Sequence, residues 1–332
     1  MRITWLFGNG LDLAFGLKTS YKDFYEYLLK KNLQTNIIFS QLKKDYESHR
    51  EDLWSDYEIR LGQLTSQLSE DQLEQFEKDK VEIDLLLEEY LTDENKRIEL
   101  QDQNAELLKK SFLELERCTR EIDVKKIKSL VNYNSNSTLR IEAISFNYTS
   151  TVSLLWGSNL NVLQGFKIYG SPSSYTCVLE KPFYLHGALG DGEMIIGVND
   201  ATQIDCDRFK DNSDLQANLI KSKMLESAGQ LHFEKFVEII NSSELICTYG
   251  LSLGATDACY WEEIKKRLLT SNSILIIYQY DSQYTNKHIA LTAKYIKDVK
   301  RNFYAHSKAS EEEIKKIDDR IIVEINHILF KK

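Results

Sequence analysis

The residues of this chain that could do chemistry fall into short polar motifs, each placed directly after a run of β-forming residues. In order they are Gly8-Asn9-Gly10-x-Asp12, Asn147-Tyr148-Thr149, His186-Gly187, Gly197-x-Asn199-Asp200 and Gly250-x-Ser252-x-Gly254-x-x-Asp257. The first lets backbone approach a phosphate closely, and Gly16 adds a third glycine, but its G-x-G-x5-G spacing departs from the common dinucleotide fingerprint. An ordinary tight turn would use the same glycines. His186 offers an imidazole, the side chain suited to proton transfer near neutrality, where a glycine turns the chain sharply; a hydrogen-bonded structural histidine is the plainer reading. Asn147 can orient a ribose hydroxyl or a water, and asparagine is also simply a good turn former. Glu58 shares a helical face with Trp54 and Leu61, so its carboxylate points to a cleft or to a basic partner. In the last motif, backbone amides can meet phosphate and Ser252 a ribose, while Asp257 is placed to cap the helix starting at Ala258. Tyr260 and Trp261 read as core.

These motifs need a scaffold that brings strand ends together. Arg2 to Phe7 is a buried strand closed by the first glycine turn; Thr19-Ser20 then cap a helix from Tyr21, with Asp23 as a capping-box partner. From 21 to 131 there is no proline and one glycine, Gly62, and apolar residues recur at three- and four-residue intervals, so this segment is helical. Its charged middle, Glu70 to Glu116, reads as a solvated surface or an antiparallel helical arm. Strands return at Leu139 to Phe146, Phe183 to Leu185, Met194 to Val198, Leu245 to Tyr249 and Ser273 to Tyr280. Helices follow at Gln216 to Ala228, His232 to Ile240, Ala258 to Leu269 and Asn286 to Asn302. The alternation predicts an α/β fold: a mostly parallel, Rossmann-like sheet with helices on both faces and a large α-helical insertion after the first strand. The expected division is a nucleotide-binding domain of 1–20 and 132–332, with 21–131 inserted. In such sheets ligands sit beyond the carboxyl ends of the strands, where the polar motifs lie.

Composition narrows the partners. A chain of 332 residues with 42% hydrophobic content can fill a sizeable core, and the formal net charge of −9 argues against a broad grip on nucleic acid. Apolar runs such as Ile274 to Tyr278 fall far short of a bilayer, and the start lacks a secretory signal pattern, so a cytoplasmic protein with no membrane partner is expected. The 5 cysteines are scattered with no C-x-x-C pair and read as reduced, mostly buried thiols; no metal site is expected.

Read together, Gly8-Asn9-Gly10-Leu11-Asp12-Leu13-Ala14-x-Gly16-Leu17-Lys18-Thr19-Ser20-Tyr21-x-Asp23-Phe24, Trp54-x-Asp56-x-Glu58, Phe146-Asn147-Tyr148-Thr149, His186-Gly187, Gly197-x-Asn199-Asp200 and Gly250-x-Ser252-Leu253-Gly254-x-x-Asp257-x-x-Tyr260-Trp261 closely resemble the AbiH-type bacteriophage abortive-infection proteins. The resemblance spans nearly the whole chain. That family is in turn similar to sirtuin-type NAD-binding domains, where a G-A-G turn, a Q-N-I-D stretch, an H-G pair and a G-T-S turn follow successive strands in the same order. The resemblance implies Asn147 and His186 as catalytic residues near the nicotinamide ribose. It implies Gly8, Asn9, Gly10, Asp12, Thr19, Ser20, Tyr148, Gly250, Ser252 and Gly254 around NAD, with Glu58, Asn199 and Asp200 as further site candidates. The chain departs from the sirtuin pattern at Thr149, which replaces the aspartate, and in lacking zinc-binding cysteine pairs and the protein-substrate groove. These departures argue against protein deacylation and leave cleavage of NAD itself.

The expectation is an NAD glycohydrolase that releases nicotinamide and ADP-ribose when a phage-derived trigger arrives, with a homo-oligomer as a further possibility. A non-catalytic NAD or ADP-ribose sensor or scaffold is the first alternative, supported by Thr149. A metal-dependent nuclease using Asp12, Asp56, Glu58 or Asp200 is the second.

Overall fold

The strand order is what brings the motifs to one place. The computed structural model describes residues 1–48, 57–98, 111, 120–133, 138–157, 162–166, 175–190, 194–282, 284, 289–327 and 329–330. Trp54 and Asp56 lie outside these described residues. The strands are β1 (Arg2–Phe7), β2 (Thr138–Ser145), β3 (Val162–Phe166), β4 (Tyr175–Leu179), β5 (Phe183–Tyr184), β6 (Leu245–Tyr249), β7 (Ile274–Gln279) and β8 (Ile321–Ile325). They form one sheet in the order β3-β4-β2-β1-β6-β7-β8, with β5 pairing the end of β2. All pairs are parallel except β3 with β4. Setting aside the antiparallel edge strand β3, the order grows outward from β1 on one side and then on the other, which is the Rossmann pattern.

Parallel strands covered on both faces must be apolar on both, and these are. Along β1, Trp5 and Phe7 join one buried cluster and Leu6 the opposite one; Cys247 and Ile246 of β6, and Ile276 and Ile277 of β7, divide the same way. One face is covered by the helices Glu121–Tyr133 and Thr151–Trp156, which contribute Ile127 and Trp156. The other lies under His232–Ser242, Ala258–Thr270 and Ile289–His306, with Phe236, Trp261 and Phe303 fully buried. Tyr260 and Trp261 are core, as expected.

Between β1 and β2 stand the helices Tyr21–Leu28, Ile37–Glu47, Tyr57–Leu64, Leu73–Asn95 and Glu121–Tyr133. Ser20 caps the first, its hydroxyl accepting the Asp23 amide at 3.2 Å. The first four build a cluster of their own around Phe24, Ile38, Leu61, Phe76 and Ile83, and that cluster also takes in Ile196, Val198, Ile204 and Leu219. Leu73–Asn95 is amphipathic: it buries Phe76, Ile83, Leu87 and Leu91 along one face and leaves Glu74, Lys78, Val81 and Leu85 exposed on the other, so the expected solvated surface is one face of a packed helix.

Two further elements differ from expectation. Met194 to Val198 is not a strand of the sheet; only Val198 forms an isolated bridge, with Ile220. Ile195, Ile196 and Val198 are buried, but the amides of the segment find other partners, Ile195 donating to the His186 carbonyl and Val198 to that of Leu219. The same bridge breaks the expected helix Gln216 to Ala228 in two, Ser213–Leu219 and Lys221–Ser227, because Ile220 is extended at φ −96° and ψ 118°. β3, β4 and β8 were not foreseen from the sequence.

Candidate functional site

A single cavity of about 610 Å³ opens at the carboxyl ends of β1, β2, β6 and β7, astride the point where the strand order reverses. Its size falls within the range of small-molecule sites, roughly 300–1,000 Å³. Gly8, Asn9, Gly10, Asp12, Thr19, Ser20, Glu58, Asn147, Tyr148, His186, Gly250 and Ser252 all line it. Gly254, Asn199 and Asp200 do not. Gly254 accepts the Trp261 indole N–H at 2.9 Å; Asn199 accepts the Cys259 amide at 3.0 Å; Asp200 caps the amide of Thr202 at 2.8 Å.

The glycine turn is tight because two backbones touch. A Cβ on Gly10 would lie 2.5 Å from the Gly250 Cα, and Gly250 itself holds φ +68°, a conformation that favours glycine. The Gly8 and Gly10 amides, expected to face a phosphate, donate instead to the carbonyls of Tyr249 and Gly250, each at 2.9 Å. Asn9 is likewise committed, its Nδ2 donating to the Thr19 carbonyl at 3.0 Å and its Oδ1 accepting the Thr19 hydroxyl. The glycines thus weld the ends of β1 and β6 into one floor for the cavity.

Charge is concentrated in a buried network. The Lys221 ammonium lies 2.9 Å from Glu58 Oε2 and 2.8 Å from Asp257 Oδ1, and His186 Nε2 is 3.3 Å from that same Asp257 oxygen. Burial alone would push the Asp257 carboxyl up, but Lys221 and His186 hold it well below the usual carboxylate range. Glu58 goes the other way: burial raises it, and Lys221 only partly offsets that. Burial would lower the Lys221 ammonium, yet Asp257 and Glu58 outweigh it and keep it charged. Asp257 is therefore not the helix cap expected of it. It occupies the position before Ala258, but its side chain makes no capping hydrogen bond. Glu58 does meet a basic partner, and that partner, Lys221, was missed in the sequence. Its signal was faint: a lysine in an amphipathic stretch that reads as one continuous helix.

A second group of polar side chains behaves differently. Asp12 Oδ2 accepts the Thr149 hydroxyl at 2.7 Å, whereas Asp12 Oδ1 and Asn147 Nδ2, both buried, make no hydrogen bond among the described residues. Burial pushes the Asp12 carboxyl up to about 6, with Thr151, Thr149 and Asn147 pulling the other way. The Tyr148 hydroxyl donates to the Ile195 carbonyl at 3.0 Å and so ties the 194–198 segment to the cavity wall. Lys22, not singled out in the sequence, also lines the cavity, as do Tyr278, Gln279 and Tyr280 at the end of the expected strand Ser273 to Tyr280.

No helix among the described residues is long and apolar enough to cross a membrane. Nor is any group of three or more His, Cys, Asp or Glu side chains among them arranged to hold a metal ion. Asp12, Glu58 and Asp200, the described carboxylates of the nuclease alternative, belong to separate hydrogen-bonded groups. No curated protein matches the chain. The sequence profile of the family described as "Bacteriophage abortive infection AbiH" matches residues 4–280, which takes in every motif from the first glycine turn to the end of β7, and the chain belongs to that family of abortive-infection proteins.

Proposed function

We propose that the cleft binds NAD and that, once triggered, the protein hydrolyses it to nicotinamide and ADP-ribose as its means of aborting infection. The observation that carries this reading is the convergence of Asn147 and His186 with the β1 and β6 glycine turns on one cavity at the topological switch point, where such sheets take dinucleotides. The resemblance of the motif order to sirtuin-type NAD-binding domains supports it.

The chemistry needs three things: an anchor for the pyrophosphate, a dry seat for a ribosyl centre that becomes oxocarbenium-like, and a group that activates a ribose hydroxyl or water. Lys22 lines the cavity and makes no ion pair among the described residues, which suits it to the pyrophosphate. Phe146 and Tyr148 supply apolar wall. His186 is the candidate base, its ring backed by Asp257 in the manner of a base oriented by a carboxylate, and Asn147 is the positioning amide.

The non-catalytic sensor reading draws on a specific observation too: Thr149 stands where the sirtuin pattern has an aspartate. One experiment separates the readings. Purified protein, with and without lysate of phage-infected cells as the source of the trigger, is incubated with NAD and, separately, with RNA and DNA plus Mg²⁺, comparing wild type with His186→Ala and Asn147→Ala. Nicotinamide released by wild type alone is the expected result. NAD binding without turnover would favour the sensor, and Mg²⁺-dependent cleavage of nucleic acid would replace both.

A further inference from the structure

We infer that Asp12 is a catalytic residue of this cleft: it takes the proton of an attacking water held between its Oδ1 and the Nδ2 of Asn147. The inference rests on the NAD-hydrolysing reading above and adds the proton acceptor to it.

Asp12 stands on the short helix Gly10–Ala14 directly after the glycine turn and is 1% exposed; Asn147, at the end of β2, is 7% exposed. Both line the cavity. The two oxygens of Asp12 have different fates, since Oδ2 is taken by the Thr149 hydroxyl at 2.7 Å and Oδ1 is not taken at all. The Asn147 backbone is pinned by Ser145, whose hydroxyl accepts the Asn147 amide at 3.1 Å and donates to its carbonyl at 3.0 Å. Its side-chain Nδ2 is nonetheless left without a partner. The Asn147 side chain comes close enough to the Asp12 carboxyl to help lower it, although neither Asp12 Oδ1 nor Asn147 Nδ2 completes a hydrogen bond.

Buried polar atoms are nearly always satisfied, and each left unpaired costs stability. A lone acceptor beside a lone donor is the complement of a group that is both at once, a water or a hydroxyl. His186 is differently placed, because its Nε2 lies 3.3 Å from Asp257, which Lys221 also holds. That leaves the imidazole to a ribose hydroxyl and the water to Asp12. In the step itself the bond between C1′ and the nicotinamide nitrogen breaks, and its electron pair leaves with neutral nicotinamide. The water oxygen forms the new bond to C1′, and its proton passes to Asp12 and then to solvent, so NAD⁺ and water yield ADP-ribose, nicotinamide and H⁺. Burial places the Asp12 carboxyl near 6, ionised at neutral pH yet basic enough to accept a proton. Thr149 is its positioning residue, fixing the carboxylate through Oδ2.

The test compares wild type, Asp12→Asn and Thr149→Val by nicotinamide release across pH 5 to 9 and by calorimetric NAD binding. Asp12→Asn is expected to bind NAD within about threefold of wild type and to lose about a hundredfold or more in turnover, in line with removal of a general base. The acid limb of the wild-type rate, expected near pH 6, should move to higher pH in Thr149→Val, because the lost hydroxyl was lowering the carboxyl. Turnover within about tenfold of wild type in Asp12→Asn, or an unmoved limb in Thr149→Val, would overturn the inference while leaving the NAD reading intact. Wild type that binds NAD but never releases nicotinamide would also overturn it, and wild type that does not bind NAD would remove the reading beneath it.

Discussion

Two sets of buried polar groups share this cleft and are treated in opposite ways. Around Lys221 the carboxylates share a cation: Glu58 from the helical segment and Asp257 from the turn after β6 lie 2.9 and 2.8 Å from its ammonium, and His186 from the turn after β5 comes within 3.3 Å of Asp257. Around Asp12 the accounts stay open, with a carboxylate oxygen and an amide nitrogen buried and unpaired. A folded chain gains nothing from the second arrangement unless something else completes it. The contrast separates what holds the cleft together from what the cleft is for.

Breaking the closed network should have the largest effect. Lys221→Met leaves Glu58 and Asp257 buried without their shared cation, and removing one member of a buried ion pair costs about 3–5 kcal/mol. Urea denaturation should show that loss at pH 8 and a smaller one at pH 5, where protonation of Glu58, already raised by burial, relieves the repulsion.

Asp12→Asn should act the other way. The wild-type carboxyl titrates near 6 when folded, against 3.8 as its ordinary value, so the folded state holds the proton more tightly. Its contribution to stability is present below about pH 4 and lost as pH rises through 6. Relative to wild type, Asp12→Asn should therefore gain up to about 3 kcal/mol between pH 4 and pH 8, at 1.36 kcal/mol per pKa unit. A variant less stable than wild type at pH 8 would mean that Asp12 belongs with the closed set.

The smallest effect calibrates the other two. Ser20→Ala removes the cap of Tyr21–Leu28, which carries Tyr21, Lys22 and Phe24 to the cavity wall, and should cost about 1 kcal/mol with little dependence on pH between 6 and 8.

Much of the scaffold was legible because its signals are local. β1 and β6 have the boundaries that their apolar runs predict, and Ser20 caps the helix that its spacing with Asp23 predicts. The gathering of Asp12, Asn147, His186 and the glycine turns follows from motifs that all end parallel strands. What stayed hidden depends on pairings distant in sequence. Ile195 and Val198 look like a strand, but the chain spends their amides on the 186 and 219 carbonyls, and the resulting bridge at Ile220 cuts a helix to start a new one at Lys221. Asp257 sits at a position where aspartate normally caps, and only the arrival of Lys221 redirects its carboxylate. Thr149 reads as a missing aspartate, whereas in three dimensions it holds the carboxylate of Asp12, 137 residues earlier.

The proposed NAD site is marked by the buried polar atoms of Asp12 and Asn147 that lack hydrogen-bond partners. Isothermal titration of NAD into the purified protein tests it most directly. The account predicts saturable one-to-one binding, weakened about tenfold by Asn147→Ala, the equivalent of about 1.4 kcal/mol and the size of one hydrogen bond. No binding, or binding that Asn147→Ala leaves unchanged, would contradict it.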